Sequence, residues 1–153
     1  MTDLKKILLL NGPNLNLLGT REPDIYGTMT LQQIENSVIS FAKGYGVEVR
    51  AEQSNYEGVL IELLQQAALW ANAVVFNPGG YGHTSIALRD TIVAIGLPVI
   101  EVHISNIHAR EPFRQQLLLT PVCQGQITGL GWQGYLLAVE YFLRLWKIFP
   151  SRT

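Results

Sequence analysis

Three short apolar runs, each stopped by a polar or turn-forming cluster, most constrain this chain. Ile7-Leu8-Leu9-Leu10 ends at Asn11-Gly12-Pro13, and Ala73-Val74-Val75-Phe76 ends at Asn77-Pro78-Gly79-Gly80. Pro98-Val99-Ile100-Glu101-Val102 runs into His103-Ile104-Ser105-Asn106. Apolar runs this short, and unbroken or nearly so, read as strands buried on both faces. Such strands belong to parallel sheets covered by helices.

The segments between them carry helical spacing. Thr30-Leu31-Gln32-Gln33 has the pattern of a capping box, and Leu31, Ile34, Val38, Phe41, Ala42 and Tyr45 follow at helical intervals before Gly44 and Gly46. Val47, Val49 and Ala51 alternate with Glu48, Arg50 and Glu52, as in a half-exposed strand. Further helices are predicted over Glu57–Trp70, Ser85–Ile95 and Gln133–Phe149, with a short one over Glu111–Gln116 and a fifth strand over Gly125–Thr128. Strands alternating with helices predict an α/β fold, a single-domain flavodoxin-like doubly wound five-stranded parallel sheet with helices on both faces. At 153 residues the chain is expected to be one domain, 1–153, and is too short for a (β/α)8 barrel, which needs about 200 or more.

Composition narrows the function. The chain is 48% hydrophobic, which excludes disorder, and its net charge of -1 gives no basic surface for nucleic acid. Charged residues make up 15%, against a usual ~25%, which points to surface hidden in a homo-oligomer. Cys123 is the only cysteine, which suits a reducing compartment. No apolar run reaches the ~18–20 residues of a membrane span, so the expectation is a cytoplasmic protein with no membrane partner.

In doubly wound sheets, ligands bind beyond the carboxyl ends of the strands. The loop Asn11–Met29 exceeds the ~12–15 residues usual for structureless connections, and its part 19–26 reads as a mobile lid. Asn-Gly-Pro and Asn-Pro-Gly-Gly are first of all turns. Glu101 and His103, two apart at a strand end, share a face. His83 precedes a helix and could cap it, whereas His108 lies in a polar loop and reads as surface. Glu101, His103, His83 and His108 could in principle hold zinc, but there is no His-Glu-x-x-His and no carboxylate cluster, so no metal is expected. Nucleotide motifs are absent, and Asn77 stands where a phospho-receiver domain needs Asp. Lys5, Lys6, Lys43 and Lys147 lie away from the strand-end segments, which argues against an imine mechanism.

Tyr26, Arg21, Arg110, His103 and Glu101 remain. A tyrosine serves as a base only if its pKa falls from ~10 toward 7. One arginine about 4 Å away contributes on the order of 4 kcal/mol at an effective dielectric near 20, roughly three pKa units, and desolvation of the phenolate opposes it. A second arginine would help. His103 could then serve as the acid.

These residues lie in motifs that resemble a family. Asn11-Gly-Pro-Asn-Leu-Asn-Leu-Leu-Gly-Thr-Arg-Glu-Pro-Asp-Ile-Tyr-Gly27 looks like the N-terminal signature of the type II 3-dehydroquinate dehydratases. Gln53-Ser-Asn-Tyr-Glu-Gly58, His83-Thr-Ser-Ile-Ala-Leu-Arg-Asp90 and Glu101-Val-His-Ile-Ser-Asn-Ile-His-Ala-Arg-Glu111 match in the same order, and the resemblance spans about Ile7 to Leu143.

The resemblance implies reversible loss of water from 3-dehydroquinate to give 3-dehydroshikimate, in the shikimate route or in quinate breakdown, without metal or organic cofactor. It implies Tyr26 as the base at C2, Arg21 as stabiliser of the phenolate and enolate, and Asn14 as holder of a water near the enolate oxygen. His103 would protonate the departing C1 hydroxyl and Glu101 would orient His103. Asn77, His83, Asp90, Ile104, Ser105 and Arg114 match substrate-binding positions, with backbone N–H groups of Ile104 and Ser105 on the carboxylate and Arg114 on a ring hydroxyl. A dodecamer of four trimers is also implied. Gly82 departs from the family's usual Thr and Leu117-Leu118 from a Ser-Tyr pair, and the tail 146–153 runs past the usual end. The rival reading is a flavodoxin-like binding module without catalysis, against which Tyr26, Arg21 and His103 speak.

Overall fold

Alternation inside the first apolar run divides it between two layers. In β1 (Lys6–Asn11), Ile7 and Leu9 join one buried cluster and Leu8 and Leu10 the other. The computed structural model describes residues 3–20 and 22–149. After β1 come α1 (Pro23–Tyr26), α2 (Leu31–Lys43), β2 (Glu48–Gln53), α3 (Glu57–Ala67), β3 (Ala73–Asn77), α4 (Ile86–Ile95), β4 (Val99–His103), β5 (Gly125–Thr128) and α5 (Gln133–Leu145). The strands form one parallel sheet in the order β2-β1-β3-β4-β5, the flavodoxin-like arrangement.

One face is covered by α2 and α5, through Ile34, Val38, Tyr135 and Phe142 against Ile7, Leu9, Val75 and Val102. The other is covered by α3 and α4, through Leu60, Leu64, Leu88 and Ile92 against Leu8, Leu10, Val74 and Phe76. The period-2 split of the strands and the helical stripes therefore meet on both sides of the sheet. The Thr30 capping box closes as its spacing predicts: Gln33 N donates to Thr30 Oγ1, and Thr30 N donates to Gln33 Oε1 at 2.9 Å.

The observed elements differ from the predicted ones at their ends. β1, β3 and β4 each run one residue further, so Asn11, Asn77 and His103 are the last residues of strands. Asn11 and Asn77 are partners in the β1–β3 register. The predicted helix to Trp70 stops at Ala67, where Leu69 N and Trp70 N tighten onto the carbonyls three residues back. The expected helix over Glu111–Gln116 is a single 3-10 turn, Pro112–Gln115. The long first loop is not structureless: a 3-10 turn, Leu15–Leu17, and the one-turn α1 break it up.

The last helix ends at Leu145, short of the predicted Phe149, and Lys147 adopts a left-handed φ of 60°. The part of the tail that is described folds back. Trp146 stacks on Phe142 with ring centres 5.6 Å apart, and Phe149 lies 5.5 Å from Tyr45. Pro150, expected to close this helix, and the rest of the tail lie outside the described residues.

Candidate active site

A cleft opens beyond the carboxyl ends of β1, β3 and β4, the place the topology reserves for ligands. Its floor is set by a close approach of two strand-end turns. A Cβ on Gly12 would stand 2.5 Å from the Pro78 carbonyl oxygen, so only glycine fits, and Gly12 N donates to Asn77 O at 2.8 Å. Beneath lies a buried polar triad. Asn77 Nδ2 donates to Tyr135 Oη at 2.9 Å, and Tyr135 Oη donates to Asn11 Oδ1 at 2.5 Å. Burial holds the Tyr135 phenol well above its ordinary range, so it stays a donor. Asn77 Oδ1 takes Gly79 N–H at 3.1 Å, and the amide is thus oriented from two sides.

Tyr26 ends α1 and lines the cleft. Arg110 Nη1 donates to Tyr26 Oη at 2.8 Å and to Ser105 Oγ at 3.1 Å, and its guanidinium lies 5.3 Å from the tyrosine ring centre. The contact sets a positive charge beside the phenol oxygen. Arg21, the arginine assigned to this task by the resemblance, lies outside the described residues.

His103 and Glu101 are both buried at the end of β4. His103 Nε2 lies 2.6 Å from Glu101 Oε2. A carboxylate accepts, so Nε2 carries the proton and Nδ1 is the ring nitrogen left for chemistry. Gly82 backs this pair: a Cβ there would lie 3.2 Å from Glu101 Oε2 and 3.4 Å from His103 Cε1. Gly82 and Leu118, two of the positions where the resemblance is broken, meet here, because Leu118 N donates to Gly82 O at 2.9 Å. Cys123 stands near Glu101; burial, with help from the Glu101 charge, pushes its thiol up to about 12 and keeps it neutral.

His83 faces His103 with ring centres 5.9 Å apart, and its Nδ1 donates to Gln116 O at 2.9 Å. Burial, then the charges of His103 and Arg114, hold His83 below the usual histidine range against the opposing Gln116 bond and Glu101 charge. Arg114 reaches the cleft edge from the Pro112–Gln115 turn, paired with Glu111 Oε2 at 2.6 Å. Asn14 lines the cleft at a left-handed φ of 69°, its N–H on Asn55 Oδ1 at 3.0 Å. Ile104 and Ser105 line it next to His103.

Nine of the eleven expected site residues therefore come together around one cavity or, for Glu101, directly behind it. Asp90 does not: it is exposed on α4, away from the lining of this chain's cleft. His108 is exposed, as its polar loop suggested. Among the described residues, no three His, Cys, Asp or Glu side chains converge as metal ligands would. Tyr135 was not among the expected site residues. A tyrosine on the buried stripe of a helix reads as core, and only the adjacency of Asn11 and Asn77 in the sheet reveals its second task.

Fold and cleft define a flavodoxin-like α/β protein with a cleft lined by polar and ionisable side chains beyond its strand ends. The family model described as Dehydroquinase class II matches residues 5–143. The 3-dehydroquinate dehydratase of Bacillus licheniformis is 55% identical over 137 residues, covering 90% of this chain and 94% of that one. A protein of Aspergillus flavus named catabolic 3-dehydroquinase 2 is 54% identical over 140 residues, covering 92% and 93%. The crystal structure of type II dehydroquinase from Butyrivibrio crossotus superposes with a TM-score of 0.89 at 43% identity, covering 90% of this chain and 97% of that one. The chain belongs to the class II dehydroquinase family.

Proposed function

We propose that this chain is a hydro-lyase that removes water reversibly from 3-dehydroquinate to give 3-dehydroshikimate. The observation that carries the reading is the Arg110 contact to Tyr26 in the same cleft as the buried Glu101–His103 pair. Tyr26, as phenolate, takes the C2 proton, and the electrons of that bond enter the adjacent carbonyl as an enolate. Arg110 and Arg21 stabilise the negative charge as it moves. The enolate then re-forms the carbonyl and expels the C1 hydroxyl, to which His103 delivers a proton, so that water leaves and the C1–C2 double bond remains. Glu101 holds the imidazolium in place before that transfer.

The remaining roles follow the lining. Asn14 holds a water beside the enolate oxygen, and Asn77, His83, Ile104, Ser105 and Arg114 bind substrate. Arginines and histidines on the walls, with Glu101 turned away behind His103, suit a substrate bearing a carboxylate and hydroxyls. Asp90, exposed on α4 beside the exposed apolar Ile86 and Val93, serves a cleft by projecting into that of a neighbouring copy. The assembly we propose is a dodecamer of trimers, and sedimentation of a monomer alone would contradict it.

The reaction belongs to the shikimate route in the cytoplasm. A second reading, quinate breakdown, draws on the identity to the catabolic relative of Aspergillus flavus. Ultraviolet absorbance of the conjugated enone, appearing when fresh dehydroquinate is added, tests the activity; it should persist with a chelator present and in protein first treated with borohydride plus substrate and then freed of both. Loss of activity to either reagent would exclude this mechanism. Growth of a dehydroquinase-deficient strain without aromatic amino acids, or on quinate as carbon source, separates the two routes.

A further inference from the structure

Glu101 is completely buried, and its two oxygens have different partners. Oε2 holds His103, and Oε1 accepts from Thr120 Oγ1 at 2.6 Å. Thr120 opens the 3-10 turn Thr120–Val122, and its Oγ1 in turn accepts from Gln126 Nε2 at 3.2 Å. Gln126 is fixed in β5, where it is the register partner of Glu101. A hydroxyl has one proton to give. With the Gln126 amide on its lone pair, that proton is committed to Glu101. The donors therefore run in one direction, from Gln126 through Thr120 to Glu101. On the opposite flank Gly82 presents no side chain to the carboxylate.

We propose that Thr120, backed by Gln126, is a positioning residue for the acid: it fixes the Glu101 carboxylate in the orientation that holds His103 Nε2–H. The inference rests on the reading of His103 as the acid. Without the hydroxyl, Oε1 is left without its donor in a buried site, and the carboxylate gains by turning or by sharing a proton. Either change loosens the ring without touching substrate. The loss then falls on kcat and leaves KM nearly unchanged, whereas a Thr120 that only supported packing would alter stability alone.

The test compares Thr120→Val, which keeps the shape, with Thr120→Ser, which keeps the hydroxyl. Steady-state dehydration of 3-dehydroquinate is measured for both, with circular dichroism to establish folding. Thr120→Val is expected to lose about 10- to 100-fold in kcat with KM within about threefold, and Thr120→Ser to recover most of kcat. A folded Thr120→Val with wild-type kcat, a loss confined to KM, or a serine variant as impaired as the valine one would each overturn the proposal. If Thr120→Val fails to fold, Gln126→Leu decides: a kcat loss of about 3- to 10-fold supports the relay and an unchanged kcat overturns it. A wild-type chain without turnover would remove the functional reading and this inference together. An active wild type with unimpaired variants would remove this inference alone.

Discussion

Removing the Arg110 guanidinium takes away the donor at Tyr26 Oη and the one at Ser105 Oγ together. A hydrogen bond to a charged partner is worth about 1.5–3 kcal/mol, so Arg110→Ala should lower kcat by about 10- to 100-fold or more if Tyr26 works as phenolate. Arg114 sits at the cleft edge and pairs with Glu111, so its loss should weaken substrate binding instead. Arg114→Ala is expected to raise KM by roughly 10- to 100-fold with a smaller change in kcat. Steady-state kinetics decide both, and a kcat defect concentrated in Arg114→Ala would reverse the assignment. His83 gives a pH signature in stability. Its pKa is lowered in the fold from 6.5, chiefly by burial, so the unfolded chain takes up a proton first as pH falls. The stability it contributes is present above its unfolded value and fades below it. Thermal unfolding from pH 7 to pH 5 should therefore cost the wild type more than His83→Gln, and equal slopes would contradict this.

The elements differ in how firmly they hold their functional groups. Asn11 and Asn77 close their strands and are locked from below by Tyr135 of α5. Tyr135→Phe leaves two buried amide groups short of a partner, a cost of about 1–3 kcal/mol. For a chain of this size that lowers Tm by roughly 2–4 °C per kcal/mol, measured by thermal denaturation. A Tm unchanged within error would mean the triad contributes no stability. By contrast, α1 is a single turn with no buried residue, entered through Glu22 at a left-handed φ of 39°. Tyr26 itself is partly buried against the core, but Glu22, Pro23, Asp24 and Ile25 are exposed, so little else anchors the turn, and a lid needs few such anchors. Trypsin is expected to cut after Arg21 in the free protein and more slowly when a substrate analogue saturates the cleft. Equal rates would argue against the lid.

At the scale of the molecule, the sheet was legible because apolar runs and helical stripes have different periods, and both survive in the sequence. The strands run one residue past their apolar stretches for a physical reason: Asn11, Asn77 and His103 are polar, so hydropathy stops where the hydrogen-bond ladder does not. The Glu101–His103 pair was legible from its spacing of two along a strand. The contact of Arg110 with Tyr26 was not, because it joins residues 84 apart in the chain through a loop and a one-turn helix that carry no periodic signal. Thr120 and Gln126 stayed hidden likewise, since only the β4–β5 register sets Gln126 beside Glu101. What links these parts is the claim that a phenolate at Tyr26 takes a proton from substrate carbon. Tyr26→Phe keeps the ring in the cleft and removes only the ionisable group. The account predicts that turnover of 3-dehydroquinate by this variant falls at least about 100-fold, a loss of roughly 2.7 kcal/mol of transition-state stabilisation, while a substrate analogue still binds. A variant that keeps more than about a tenth of the wild-type rate would show that another group is the base.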